Sequence, residues 1–190
     1  MIEPGDLVFL FIVGGAAGFV DAIAGGGGLL SIPALLWTGM SPIQAIATNK
    51  LQASMGSFTA TANYVRHGLV SPGKLWFAVF MTLLGAMTGA LLVQRLPNAW
   101  LETLVPVMLI IIALYFLLSK KIRLESGEQR ISLTAFSVLI GFTIGFYDGF
   151  FGPGTGSFFT IAFVLLLGYA LPQAIGGTKL LNFTSNVVAL

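Results

Sequence analysis

KKIRLESGEQR, residues 120–130, is the only markedly hydrophilic run in this chain. Elsewhere one apolar run follows another, near 7–24, 28–38, 43–65, 75–95, 98–119, 132–150, 157–170 and 173–190. A water-soluble surface needs charge, yet only 8% of the 190 residues are charged and 56% are hydrophobic. With a mean hydropathy of +0.95, the chain reads as an integral membrane protein. Because the runs cover the whole length, it is polytopic rather than anchored once. Segments 43–65, 75–95 and 98–119 each have the ~20 residues that a span requires. Those at 28–38 and 157–170 are short and read as half-helices or re-entrant pieces.

Charge placement gives a topology. Loop 66–74 and the run 120–130 are separated by two spanning segments, so both face the same side. Together they hold Arg66, Lys74, Lys120, Lys121, Arg123 and Arg130, six of the nine basic residues. An excess of Lys and Arg marks the cytoplasmic side. Segment 43–65 then runs from outside to inside, and the acidic N-terminus lies outside if 28–38 forms a separate element. Glu3 and Asp6 stand where a secretory signal carries basic residues, so no signal peptide is read. With no cysteine, the chain offers no disulfide and no thiolate-bound metal. The net charge of +2 makes no case for a nucleic-acid partner.

The chain repeats itself. GFVDAIAGGG at 18–27 matches GFYDGFFGPG at 145–154, and after a two-residue slip QAIATNKL at 44–51 matches QAIGGTKL at 173–180. Two separated blocks in the same order point to duplication. The expected organisation is a first transmembrane repeat over 1–119, a cytoplasmic linker over 120–130 and a second repeat over 131–190. An odd number of apolar elements separates the equivalent starts, so the copies are expected to be inverted, a common plan of secondary transporters. The second copy lacks counterparts of 75–95 and 98–119, so two further elements are expected beyond Leu190 or from a partner, a cut-short chain being favoured.

Asp21, Lys50, Asp148 and Lys179 fall well inside apolar segments, one Asp and one Lys per repeat. A charge at the bilayer centre costs about 2.5–3.5 kcal/mol on insertion scales, so these four need partners, a wet cavity or a ligand. Ser41-Pro42-x-Gln44 reads as a helix start, which puts Lys50 roughly 12 Å along that helix. Pro172 starts the equivalent helix, with Lys179 about 10 Å along it. Inverted copies would bring both lysines to the midplane. Polar residues flank them, Thr48, Gln52, Thr59 and Asn63 on one line and Lys50, Ser54, Ser57 and Thr61 on another. Thr178, Asn182, Ser185 and Asn186 do so in the second copy. Interhelical hydrogen bonding is the plain account of the hydroxyls; joined to lysine and Asn49, a cavity lining is the better one.

Four consecutive glycines cannot all serve one packing face. Gly25, Gly26, Gly27 and Gly28, and in the second copy Gly152, Gly154, Thr155 and Gly156, are therefore expected to be unwound backbone lining a cavity. A helix beginning after each break favours an anion at its N-terminus. Asp21 and Asp148 precede the breaks, either satisfying loop N–H groups and lysines or carrying a proton as substrate moves. The chain has no H-E-x-x-H, G-x-S-x-G or phosphate-binding loop, so no enzyme activity, cofactor or metal is expected. His67 has no second ligand beside it. Trp37, Trp76 and Trp100 sit near segment ends, as interfacial residues do.

GFVDAIAGGGGLLSIPALL, ATNKLQASMGSFTATANYVRHG, GFYDGFFGPGTGSFF and TKLLNFTSN resemble the TauE/SafE family of membrane permeases, sulfite exporter-like, and its branch of probable membrane transporters in particular. The resemblance implies a bacterial inner-membrane carrier for sulfite, sulfonates or related small anions. Lysines near the midplane and backbone donors of the glycine breaks would bind the anion. The substrate-binding set is then Gly25, Gly26, Gly27, Gly28, Asn49, Lys50, Gln52, Gly152, Gly154, Thr155, Gly156, Thr178, Lys179 and Asn182, with Asp21 and Asp148 for proton coupling. The alternatives are a passive anion channel and a non-transporting assembly subunit whose Asp and Lys pair internally. The lipid bilayer and a small anion are the expected partners; self-association is open.

Overall fold

A computed structural model describes residues 4–118 and 127–190. Most of the hydrophilic run, 120–126, lies outside the described residues. The elements in chain order are α1 (Pro4–Ala24), α2 (Gly28–Trp37), α3 (Pro42–Arg66), α4 (Trp76–Gln94), α5 (Asn98–Leu118), α6 (Leu133–Phe136), a π-helical turn (Ser137–Gly141), α7 (Phe142–Phe150), α8 (Thr155–Leu167) and α9 (Leu171–Val188). Among the described residues there is no strand. The protein is all-α, as the sequence predicts.

Among the described residues, four stretches are long and apolar enough to cross a membrane: 4–22, 76–94, 98–118 and 133–150. The last joins α6, the π turn and α7 into one rod. Helix α3 has 25 residues, ample length for a span, but its buried face carries Asn49, Lys50, Ser54, Ser57 and Thr61, which removes it from the apolar group. Helices α2 and α8, with 10 and 13 residues, are the expected half-helices.

Local chemistry sets the helix starts. The Ser41 hydroxyl accepts from the Gln44 N–H at 3.5 Å, and the Gln44 side chain accepts from the Ser41 N–H at 3.0 Å. This is the reciprocal capping box that the sequence predicts for α3. Pro172 occupies the first turn of α9, where its missing N–H costs nothing. The glycine breaks are narrower than expected. Gly28 already opens α2, and Thr155 and Gly156 already belong to α8. Gly25, Gly152 and Gly154 hold positive φ of 71°, 103° and 86°, conformations that side-chain-bearing residues avoid.

Two apolar cores lie at opposite ends of the bundle. One gathers Val70, Phe136, Phe163, Leu167 and Ala174, with Ile131 and Tyr64 packed against it. The other gathers Ile32, Leu35, Ile46, Val93, Leu101 and Phe151. Loop 66–74 and the chain entering α6 therefore share one end. The end of α2, the start of α3, the end of α4 and the start of α5 share the other. Helices α3 and α9 run antiparallel: Tyr64 near the end of α3 abuts Gly176 near the start of α9, and the Phe58 and Phe183 rings sit 5.3 Å apart. Helix α4 packs on α7 backbone to backbone. A Cβ on Gly149 would stand 2.0 Å from Ala86 O, and one on Gly89 2.1 Å from Phe146 O. Small residues here permit the close approach that drives helix association in lipid.

Candidate functional site

The two glycine breaks meet between these cores. A Cβ on Gly25 would lie 2.5 Å from Gly156 Cα, and one on Gly156 2.6 Å from Gly25 Cα. Backbone thus touches backbone where the two half-helices begin, and only glycine fits. Gly27 is equally constrained, since its Cβ would meet Ala17 O at 2.5 Å. Gly26 is buried. Gly28 borders Pro153 at 3.3 Å and the Asn49 amide nitrogen at 3.4 Å, measured from an added Cβ.

Each lysine pairs with the aspartate of the other half. Lys50 Nζ on α3 donates to Asp148 Oδ1 on α7 at 2.5 Å, with the two side chains 0% and 4% exposed. Lys179 Nζ on α9 donates to the Asp21 backbone carbonyl at 2.5 Å and lies 3.3 Å from Asp21 Oδ2. The sequence identifies these four residues but not their partners, and the pairing neutralises both lysines.

Asp148 is held on both oxygens. Besides Lys50, the Thr155 hydroxyl lies 3.2 Å from Oδ1, and the Ser185 hydroxyl donates to Oδ2. A Cβ on Gly152 would fall 2.9 Å from Lys50 Nζ, so this glycine makes room for the ammonium. The Tyr147 hydroxyl donates to Pro153 O at 2.5 Å and pins the second break to α7. Gly154 caps α8 against Phe116 and Ile112.

Two cavities that share lining residues occupy the junction. An inner one of about 20 Å³ lies among Asp21, Gly28, Asn49, Asp148, Thr155 and Asn182. An outer one of about 60 Å³ shares Asp21, Gly28 and Asn49, adds Ser31, Gln52 and Lys179, and extends along α3 to Gly56 and Ala60. The Ser31 hydroxyl donates to Asn49 Oδ1 at 2.5 Å. Gln52 Nε2 donates to Gly14 O at 2.9 Å, tying α3 to α1. Asn182 Oδ1 is buried without a partner among the described residues.

The structure therefore gathers the candidate residues except Gly26, which lines neither cavity, and Thr178. The Thr178 hydroxyl bonds Thr160 at 3.0 Å, linking α8 to α9, and lines neither cavity. Ser31 and Tyr147 join the site although sequence reading passes over them. Ser31 was findable as the hydroxyl one turn into the half-helix that follows Gly27, and Tyr147 as the neighbour of Asp148. Of the two polar lines on α3, the Lys50, Ser54, Ser57 and Thr61 line is buried, whereas Thr48, Thr59 and Asn63 are exposed.

Apolar spans surrounding two broken helices and two buried ion pairs define a multi-pass membrane protein. The chain belongs to the TauE/SafE family: the model described as "Sulfite exporter TauE/SafE" matches residues 10–190. It is 48% identical to "Probable membrane transporter protein YfcA" of Escherichia coli K12 over 190 residues, all of this chain and 71% of that protein. A "Probable membrane transporter protein" of Haemophilus influenzae is 46% identical over 183 residues, 96% of this chain and 72% of the relative. "Probable membrane transporter protein ORF9" of a Sinorhizobium species is 45% identical over 183 residues, covering 96% and 70%. No solved structure matches the chain. The family is one of membrane transporters.

Proposed function

We propose that the chain is a secondary transporter for a small anion of the sulfite and sulfonate class, binding it where the glycine breaks meet the lysine helices. The reciprocal pairing of Lys50 with Asp148 and of Lys179 with Asp21 carries this reading. An ammonium held by an internal carboxylate at membrane depth is a site where a second anion competes for the same charge. Breaking a buried pair by removing one partner costs about 3–5 kcal/mol. Release therefore requires that the carboxylate take a proton or that an anion replace it. The first exchange couples substrate to a proton, and neither needs a nucleotide.

The two halves act as inverted repeats in this reading, supported by the antiparallel course of α3 and α9. The protein sits in the bacterial inner membrane with loops 66–74 and 120–130 in the cytoplasm. A carrier is favoured over a passive channel because backbone meets backbone at Gly25 and Gly156 and the cavities beside that contact hold only about 60 and 20 Å³. Uptake of radiolabelled sulfite and sulfonates into proteoliposomes, with and without an imposed pH difference, tests the reading. Saturable, pH-driven accumulation is expected, lost in Lys50→Ala and Lys179→Ala. Flux that never exceeds the equilibrium level would show a channel, and normal accumulation by well-folded lysine variants would remove the site.

A further inference from the structure

We infer that the two ion pairs are unequal: Lys179, beside Asn49 and Gln52, is the anion's first contact, whereas Lys50 with Asp148 is the lock that keeps the other side shut. The inference rests on the transport reading and sharpens it, since the sequence repeat would make the lysines equivalent.

Four observations separate them. Both lysines are buried, their Lys179 and Lys50 side chains 3% and 0% exposed, but Lys179 lines the outer cavity while Lys50 lines neither. Asp21 is 22% exposed, against 4% for Asp148. Asp148 faces Lys50 directly at 2.5 Å and is fixed there by the Ser185 hydroxyl on Oδ2 and the Thr155 hydroxyl 3.2 Å from Oδ1, so the carboxylate cannot swing aside for a competing anion without losing those contacts. Asp21 holds its lysine mainly through the backbone carbonyl at 2.5 Å, the carboxylate standing off at 3.3 Å.

An ammonium has three N–H donors. Lys179 uses one on a carbonyl that an incoming anion need not displace, and a second on a long carboxylate contact. Its third has no partner among the described residues. An oxyanion can therefore take up Lys179 without first breaking its anchor to α1. Asn49 borders both cavities, so an anion on Lys179 in the larger one would stand beside the smaller. There, in about 20 Å³, the partnerless Asn182 Oδ1 calls for a donor no larger than a water molecule.

The chain has no cysteine, so single cysteines report without background. In neutralised pairs, Asp21→Asn/Lys179→Cys should react with the anionic sulfonatoethyl methanethiosulfonate at least about tenfold faster than Asp148→Asn/Lys50→Cys, because a sealed site reacts only through local opening. Calorimetry with methanesulfonate on the purified full chain is the second arm. Lys179→Gln should weaken binding by at least about tenfold more than Asp148→Asn/Lys50→Gln, as loss of a charged donor at the contact demands. Equal labelling of positions 50 and 179, or the larger binding loss at Lys50, overturns the inequality. Absence of both binding and flux in the unaltered chain overturns the transport reading instead, so the two failures are distinct.

Discussion

At the scale of single residues, the buried charges dominate. Lys50 is fully buried, and among the described residues its countercharge is Asp148 alone. Asp148→Ala should cost about 3–5 kcal/mol, because it strands an ammonium in an apolar interior. Replacing both members by apolar groups, as in Lys50→Met/Asp148→Leu, should restore most of that loss in thermal unfolding of the detergent-purified protein. Asp21→Ala should destabilise less, since its side chain is partly exposed and its carboxylate contact is long. A larger loss from Asp21→Ala than from Asp148→Ala would contradict the geometry. Gly25→Ala and Gly156→Ala each drive a Cβ into the opposite backbone, at 2.5 and 2.6 Å, and neither neighbour is a side chain that can swing away. Each should lower the unfolding midpoint and abolish transport, whereas Gly26→Ala, whose Cβ meets only Leu29 at 3.9 Å, should be far milder.

At the scale of helices, equivalent positions in the two halves make a controlled comparison. Gly145 on α7 corresponds to Gly18 on α1. A Cβ on Gly145 would stand 2.6 Å from Thr82 O, while one on Gly18 meets nothing within 4 Å. Gly145→Ala should therefore cost about 1–3 kcal/mol through overpacking against α4. Gly18→Ala should be neutral or gain up to about 1 kcal/mol of helix propensity. Thermal unfolding of both variants checks the contrast, and equal effects would deny the α4–α7 contact. Helix starts and breaks were legible in the sequence because their causes are local: Ser41 with Gln44, Pro172, and glycines where φ turns positive. Which polar face of α3 turns inward was not. Lys50 and Thr48 are two residues apart, and only the packing of α9 decides that Lys50 is buried and Thr48 exposed. The ion pairs were hidden for a related reason, since the partners lie 98 and 158 residues apart along the chain. Thr178 stands beside Lys179 in sequence, yet its hydroxyl meets Thr160 on α8 rather than the cavities.

At the scale of the whole molecule, side assignment follows from which loops share an end. Val70 and Ile131 belong to one apolar core, so loop 66–74 and the chain entering α6 lie together, while Val93 and Leu101 place the α4–α5 turn in the opposite core. Loop 66–74 and residues 120–130 hold six of the nine basic residues, and Arg95 alone marks the other end. Lys and Arg are retained on the cytoplasmic side. With no native cysteine to mask, Ser71→Cys and Gly127→Cys should react with a membrane-impermeant maleimide in inside-out vesicles, and Asn98→Cys only in right-side-out ones. All three positions are exposed. Labelling of Asn98→Cys from the same face as Ser71→Cys would break the two-ended arrangement. Labelling of all three in reversed orientation would keep the arrangement and invert the protein in the membrane. The outer cavity extends along α3 toward Gly56 and Ala60, in the direction of the Ser71 end. On the transport reading proposed above, the same orientation decides which compartment first reaches Lys179: with Ser71 in the cytoplasm, the anion would arrive from inside the cell.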